Sequence, residues 1–112
     1  MASTPNDLMH GTLDVLVLKT LSWGPAHGYA ISRAIEQRTR GVFEIEDAAL
    51  YKALHRLERN EAIASEWGLS ENNRRAKYYR LTPEGTRALR AEVSTWRKYA
   101  AAVTSVLEES RA

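Results

Sequence analysis

The residues best suited to bind a ligand are cationic side chains at helical spacing between residues 47 and 60. They are Lys52, His55, Arg56 and Arg59, at positions i, i+3, i+4 and i+7. On a helix of about 3.6 residues per turn they share one face, whereas Leu50, Leu54 and Leu57 share the opposite face. One face can therefore pack while the other meets a polyanion. A basic face can also be merely solvated, so this helix alone leaves both interpretations open.

A second basic segment follows directly. Residues 72–80 contain four cations and no acid, with Tyr78 and Tyr79 interleaved; the cations are Arg74, Arg75, Lys77 and Arg80. β-Strand formers flank a polar stretch at 70–75, which predicts a hairpin with strands at 63–68 and 76–81. Two adjacent basic features favour one shared polyanion over chance solvation.

Two helices should precede this unit. Apolar periodicity predicts the first over residues 8–22, ended by Trp23-Gly24-Pro25, and the second over residues 27–39. Asp47 is the expected N-cap of the basic helix, and Thr82 with Pro83 should begin the last helix. The predicted fold class is α+β, mainly α: a winged helix-turn-helix with a two-stranded wing. Residues 8–82 would form the DNA-binding domain and residues 83–108 a long C-terminal dimerisation helix, together one structural unit.

The last helix carries an apolar seam in steps of three and four. Its members are Leu89, Val93, Trp96, Ala100, Val103 and Leu107. Over roughly three heptads this is the pattern of a helix that pairs with another helix. Folding back onto its own domain is the alternative, but the helix is longer than so small a core can cover. We therefore expect a homodimer.

Composition excludes several other classes. The 112 residues, 27% charged, carry a net charge of +2 and no cysteine, so disulfides and thiolate chemistry are excluded. The apolar run at 13–21 is interrupted by Asp14 and Lys19 and falls short of the ~20 residues of a membrane span. We expect a soluble cytoplasmic protein with no membrane partner and no cofactor. His10, His27 and His55 lack metal-ligand spacing, and no catalytic constellation is visible, so neither a metal site nor an enzyme is predicted.

The sequence resembles the PadR-like transcriptional regulators, from about residue 8 to residue 107. The motifs that carry the resemblance are Gly-Thr-Leu-Asp at 11–14, Gly-Pro-Ala-His-Gly-Tyr-Ala-Ile at 24–31, Leu-Tyr-Lys-Ala-Leu-His-Arg-Leu-Glu at 50–58, Ser-Glu-Trp-Gly at 65–68 and Asn-Arg-Arg-Ala-Lys-Tyr-Tyr-Arg-Leu-Thr at 73–82. The resemblance is to the short branch with a single C-terminal helix. It implies a dimeric repressor that a small molecule releases from DNA.

This chain departs from the family pattern at three places. Ala48-Ala49 replaces Gly-Ser, Lys52 replaces Pro, and Glu61-Ala62 replaces Gly-Trp. The first two changes put any inherited operator sequence in doubt, because they alter groups expected near DNA. Glu61 should strain a turn that glycine would occupy freely.

A dimer would place its two basic helices in successive major grooves, so the expected operator is a pseudo-palindrome. Lys52, His55 and Arg56 are candidates for base edges or nearby phosphates, and Arg59 for phosphate. The hydroxyls of Tyr29 and Tyr51 are candidates for phosphate contacts, with a core position as the alternative for Tyr29. The predicted wing contacts, along the backbone or in the minor groove, are Asn73, Arg74, Arg75 and Lys77.

Trp96 is the candidate ligand-binding residue. On the two-fold axis its ring and that of its partner could stack a small aromatic effector, as the resemblance implies, or could simply fill the interface. The competing function for the whole chain is a winged-helix protein-interaction module without specific DNA binding. A steep salt dependence of binding would indicate that the partner is DNA, bound through its phosphates, and not another protein.

Overall fold

A computed structural model describes residues 11–109, which form four helices and one small antiparallel sheet. In chain order the elements are α1 (Thr12–Leu21), β1 (Ala26–His27), α2 (Gly28–Arg38), α3 (Asp47–Arg59), β2 (Ile63–Leu69), β3 (Arg75–Leu81) and α4 (Pro83–Glu108). The sheet order is β1-β3-β2. The predicted α+β, mainly helical winged helix-turn-helix with its long last helix is confirmed. The part of the predicted first helix before residue 11, and His10, lie outside the described residues.

One strand was missed by the sequence prediction. β1 pairs antiparallel with β3 through Ala26 opposite Tyr79 and His27 opposite Tyr78, so the sheet has three strands and not two. A two-residue strand has no periodicity to detect, and Pro25 beside it reads as a turn. The strand positions the start of α2 against the wing.

Of two predicted helix starts, that of α3 differs in detail and that of α4 does not. Asp47 is the first residue of α3 and not its N-cap; Glu46 takes that position in extended conformation without a side-chain capping bond. Asp47 in the first turn still favours the positive end of the helix dipole. At α4 the prediction is confirmed: the Thr82 hydroxyl accepts from the Gly85 N–H at 3.0 Å, and Pro83 occupies the first turn.

The core lies where the first three helices meet the sheet. Its fully buried large side chains are Val17, Leu18, Ile31, Leu50, Leu54 and Ile63. Each fully buried aliphatic side chain contributes about 1.5–3 kcal/mol of hydrophobic stabilisation. This packing fixes α3 by its apolar face and leaves its other face outward.

Only the first half of α4 joins this core. Leu89 is buried and Val93 packs against the core cluster, whereas every residue from 101 to 109 is exposed. Val106 and Leu107 retain 75% and 77% of their accessible surface. The second half of α4 thus presents an apolar face that the described part of one chain does not cover.

Among residues 11–109, no helix is both long and apolar enough to cross a membrane.

Candidate nucleic-acid interface

The outer face of α3 carries four solvent-exposed polar or aromatic side chains. Burial of Leu50, Ala53, Leu54 and Leu57 directs the other side of the helix outward. The exposed side chains there are Tyr51, Lys52, His55 and Arg59. The structure therefore brings these four predicted contact residues together on one face, as the helical spacing indicated.

Arg56 differs from its neighbours on the same helix. Its guanidinium donates from Nε to Asp14 Oδ2 at 3.0 Å and from Nη2 to Asp14 Oδ1 at 2.5 Å. This hydrogen bond, the largest influence, and the charge of Asp14 raise the pKa of Arg56 against the opposing effect of burial. Arg56 is thus turned toward α1 and paired there, which helical spacing alone did not reveal.

The wing hairpin holds its basic residues on a turn closed by backbone hydrogen bonds. Ser70 N–H donates to the Arg74 carbonyl at 2.8 Å, and Asn73 N–H donates to the Ser70 carbonyl at 2.9 Å. Asn73 has a φ of 58°, a left-handed conformation that asparagine tolerates better than most residues. Asn73 therefore has a structural role in the turn besides its predicted contact with DNA.

A groove of about 920 Å³ lies between α2, α3 and the wing. Its charged lining consists of Arg33, Arg74, Arg75 and Lys77 with Glu71 as the one acid among these residues. Tyr29 and Tyr51 also line the groove, 69% and 48% exposed. A core position for Tyr29 is excluded. Of the predicted set, the groove brings together both tyrosines and three wing cations.

The groove residues that were not predicted as contacts include Arg33, Gln37 and Trp67. Arg33 and Gln37 follow Tyr29 at intervals of four on α2, so the helical period could have identified them. Trp67 could not be assigned, because strand alternation does not tell which face of a hairpin meets the groove. The Arg75 guanidinium lies 4.5 Å from the Trp67 ring centroid, a cation–π contact that orients Arg75.

The groove lining also includes a buried tyrosine, Tyr79. Burial raises the pKa of Tyr79, with smaller contributions from the charges of Glu58 and Tyr51. Glu58 in turn accepts a hydrogen bond from the Ser65 hydroxyl at 2.6 Å. The Tyr79 hydroxyl therefore stays neutral at ordinary pH and adds no charge to the groove that Tyr79 helps to line.

His27 has a capping role. Its Nδ1 accepts a hydrogen bond from the Ala30 N–H at 3.2 Å, so it caps α2, and its ring packs edge-on against Tyr78 at 5.4 Å. Among residues 11–109 no group of three potential metal ligands occurs.

Trp96 lies beside a separate cavity of about 330 Å³ between α1 and α4. The lining is Gly11, Thr12, Val15, Glu92, Thr95, Trp96 and Tyr99. Trp96 stacks on Tyr99 with ring centroids 5.7 Å apart and an interplanar angle of 29°. Burial, and secondarily the charge of Asp14, raise the pKa of Glu92. The cavity thus combines a flat aromatic surface with one carboxyl group.

A basic outward helix followed by a cationic antiparallel wing, both on a small helical core, defines a winged helix-turn-helix protein. Comparison with known proteins specifies it further. The model of the transcriptional regulator PadR-like family matches residues 17–91. This chain belongs to the PadR-like family, whose members are DNA-binding transcriptional regulators and not enzymes.

Individual relatives agree with this assignment. An uncharacterised protein of Lysinibacillus sphaericus is 35% identical over 91 residues, which are 81% of this chain and 84% of the relative. A transcriptional regulator from Clostridium thermocellum superposes with a TM-score of 0.80 at 33% identity, covering 88% of this chain and 96% of its own. A PadR family regulator from Eggerthella lenta has a TM-score of 0.74 at 37% identity, covering 89% and 85%.

Proposed function

We propose that this protein is a homodimeric repressor that reads a pseudo-palindromic DNA operator and is released by a small aromatic ligand. The observation that carries the proposal is a pair of cationic surfaces on this small fold: the outer face of α3, where Lys52, His55 and Arg59 are exposed, and the wing side of the groove, which Arg74, Arg75 and Lys77 line. Residues 8–82 would supply the DNA-binding part and residues 83–108 the dimerisation helix.

In this proposal the outer face of α3 enters the major groove. Lys52 and His55 would meet base edges or nearby phosphates, and Arg59 would bind phosphate. All three are exposed in this structure, so binding requires no unfolding of the helix. The hydroxyls of Tyr51 and Tyr29, which line the adjoining groove of the protein, would donate hydrogen bonds to the DNA phosphates.

The wing would follow the neighbouring backbone or enter the minor groove. Arg74 and Arg75 follow a turn whose backbone is held by hydrogen bonds. Binding would therefore not have to order this backbone, which lowers the entropic cost of the interaction. Cations in a narrow minor groove gain from its enhanced negative potential. Lys77 and Asn73 would extend this interaction along the hairpin.

Dimerisation would cover the seam of α4 from Leu89 to Leu107. The exposed Val103 and Leu107 support this part of the proposal, because a soluble protein gains by removing such a stripe from water. A two-fold dimer would space the two α3 helices for successive major grooves.

The effector would bind against Trp96. The cavity between α1 and α4 offers the stacked rings of Trp96 and Tyr99, and planar aromatic ligands bind such surfaces by offset stacking. A ligand that moved α4 relative to α1 would change the spacing of the two recognition helices and so weaken operator binding. Packing of Trp96 in the interface, without any ligand, is the alternative for this residue.

The test is fluorescence anisotropy of a labelled duplex from the protein's own upstream region, titrated at several salt concentrations beside a scrambled duplex. We expect tight, salt-sensitive binding that favours the native duplex. The salt slope is the steepness with which the logarithm of the binding constant falls as the logarithm of the salt concentration rises. The double variant Arg74→Ala, Arg75→Ala should lower this slope by about 0.9 for each phosphate that is no longer neutralised. Arg97→Ala with Lys98→Ala, exposed on α4 away from the groove, is the charge-matched control and should leave the slope unchanged. Binding without salt dependence would favour a protein-interaction module.

A further inference from the structure

The pairing of Arg56 with Asp14 divides the cations of α3 into two groups. Asp14 lies in the first turn of α1 and is only 14% exposed, whereas Arg56 is 43% exposed. The pair is bidentate, with the Nε and Nη2 atoms of Arg56 directed at the two carboxylate oxygens. Charge-assisted bidentate bonds of this kind fix orientation as well as adding energy. Within residues 11–109, no such pair holds Lys52, His55 or Arg59 against α1.

We propose that Asp14 is a specificity-determining residue that keeps Arg56 away from DNA. This inference rests on the proposed DNA-binding function and refines it. The recognition surface of α3 is then Lys52, His55 and Arg59, with Tyr51, and Arg56 serves as a clamp between α1 and α3. Asp14 acts on DNA only through Arg56, so it is a positioning residue.

The position of Arg56 on the helix fits this division. It lies about 40° around the axis from Lys52, toward the buried Ala53, because successive residues are separated by about 100°. This rotation carries the side chain from the outward face to the seam where α3 packs on α1. Arg56 is thus at the edge of the recognition surface, within reach of either partner.

The environment of Asp14 favours the clamp over the DNA. If Arg56 turned to a phosphate, the largely buried carboxylate would lose its guanidinium and would face the charge of Glu92, whose pKa Asp14 already raises. Because Asp14 is only 14% exposed, leaving its charge without a cation is unfavourable, although the 43% exposure of Arg56 means that solvent reduces this cost. The carboxylate thereby retains a cation that DNA would otherwise attract.

The consequence for recognition is a gain in specificity. A phosphate interaction strengthens binding to every sequence equally, whereas interactions with bases strengthen binding to the operator. Specificity depends on the difference between the two affinities, so withholding one mobile cation lowers non-specific binding without weakening base recognition. Asp14 would therefore weaken the non-specific binding of the repressor to DNA and so increase its selectivity for the operator.

The test measures the salt slope and the affinity for operator and scrambled duplexes in the full chain, with Asp14→Asn, Arg56→Gln and the double variant. We expect Asp14→Asn to steepen the slope by about 0.9 and to strengthen scrambled binding more than operator binding. Arg56→Gln alone should leave the slope unchanged. The double variant has the net charge of the unchanged protein and should restore its slope.

Further variants keep the result decisive. Arg59→Gln, on the exposed face, should lower the slope by about 0.9 and shows that the assay resolves a single phosphate. Asp14→Ala replaces Asp14→Asn should the amide retain Arg56 by hydrogen bonding, and circular dichroism checks that each variant is folded. A lowered slope in Arg56→Gln, or an unchanged slope in both Asp14 variants, overturns the proposal while the DNA-binding function stands. Absence of salt-dependent binding by the unchanged protein would overturn that function as well.

Discussion

Gly85, in the first turn of α4, lies so close to the carbonyl oxygen of Ala62 that a Cβ at position 85 would overlap with it. This close approach joins the start of α4 to the turn that ends α3. Thr82 reinforces it, since its N–H donates to the Ala62 carbonyl at 3.1 Å and its hydroxyl donates to the Glu61 carbonyl at 2.6 Å. The direction of the proposed dimerisation helix is therefore set relative to the proposed recognition helix.

Gly85→Ala should destabilise the protein by about 1–3 kcal/mol, the typical range for forced overpacking. The sign is diagnostic, because Gly→Ala inside a helix normally stabilises by about 1 kcal/mol. The obstacle is a backbone oxygen and not a flexible side chain, so it has little freedom to move. Urea unfolding measures the change. Ser94→Ala, exposed on the same helix, is the control and should be neutral or slightly stabilising; a stable Gly85→Ala protein would contradict the close approach.

Glu61→Gly should stabilise the protein by up to ~1 kcal/mol. Glu61 follows α3 with a φ of 62°, where it donates to the Glu58 carbonyl while Ala62 donates to the Leu57 carbonyl, the Schellman arrangement. A residue with a Cβ is strained by about 1–2 kcal/mol in this conformation, and the greater freedom of unfolded glycine offsets part of the relief. Thermal and urea unfolding measure the gain.

The control for this change separates backbone strain from charge. Glu61→Ala removes the carboxylate but keeps the Cβ, so it should not reproduce the gain. Equal stabilisation by alanine and glycine would show that the charge of Glu61, and not its backbone conformation, is the unfavourable feature.

Local patterns in the sequence predicted most of the fold, whereas pairings between distant segments escaped prediction. Leu50, Leu54 and Leu57 predicted the orientation of α3 because the helical period is a local property, and Thr82-Pro83 predicted the start of α4 for the same reason. β1 was missed because its pairing with Tyr78 and Tyr79 depends on residues about 50 positions away in the chain.

The same distinction between local patterns and pairings of distant segments applies to the candidate site. The exposed cations of α3 and the wing were identified residue by residue, because they lie within single elements. The ion pair of Arg56 with Asp14 was not predicted, because it joins side chains that are 42 positions apart and lie on two different packed helices. Trp67 was likewise missed, since the face of a hairpin that meets a groove is decided by tertiary packing.

Glu92→Gln should stabilise the protein at neutral pH. Burial and the charge of Asp14 raise the pKa of Glu92 above its ordinary value of 4.5, so the folded protein favours the neutral carboxyl. Because the folded state binds the proton more tightly, stability from this group is present at low pH and is lost as pH rises from 4.5 through the higher folded-state pKa. Glutamine mimics the neutral form and should flatten this pH dependence.

Urea unfolding between pH 4 and pH 7 (about the range where carboxyl groups titrate) measures the effect. The gain over the unchanged protein should be small at the acid end and should increase toward neutrality. Glu71→Gln, in the exposed wing turn, is the control and should show no comparable trend. A gain of the same size at every pH would mean that burial does not raise the pKa of Glu92 in the folded protein.

Val103→Lys with Leu107→Lys should convert the proposed dimer to a folded monomer. Both side chains lie on the apolar seam of α4, where Val103 is 40% and Leu107 77% exposed, and neither contributes to the core cluster. Two lysines on each helix would place like charges across a paired seam, which disfavours association without removing core packing. Sedimentation equilibrium measures the mass, and circular dichroism checks that the helices remain.

The matched control for the seam is Ala101→Lys with Ser105→Lys, which introduces the same residues at the same spacing on the opposite side of α4. It should leave the mass of the assembly unchanged. The seam variant should also lose affinity for the full operator more than for a half-site, since one linked binding event becomes two separate ones. If both double variants dissociate alike, added charge and not the seam is responsible; if neither does, α4 does not form the dimer interface.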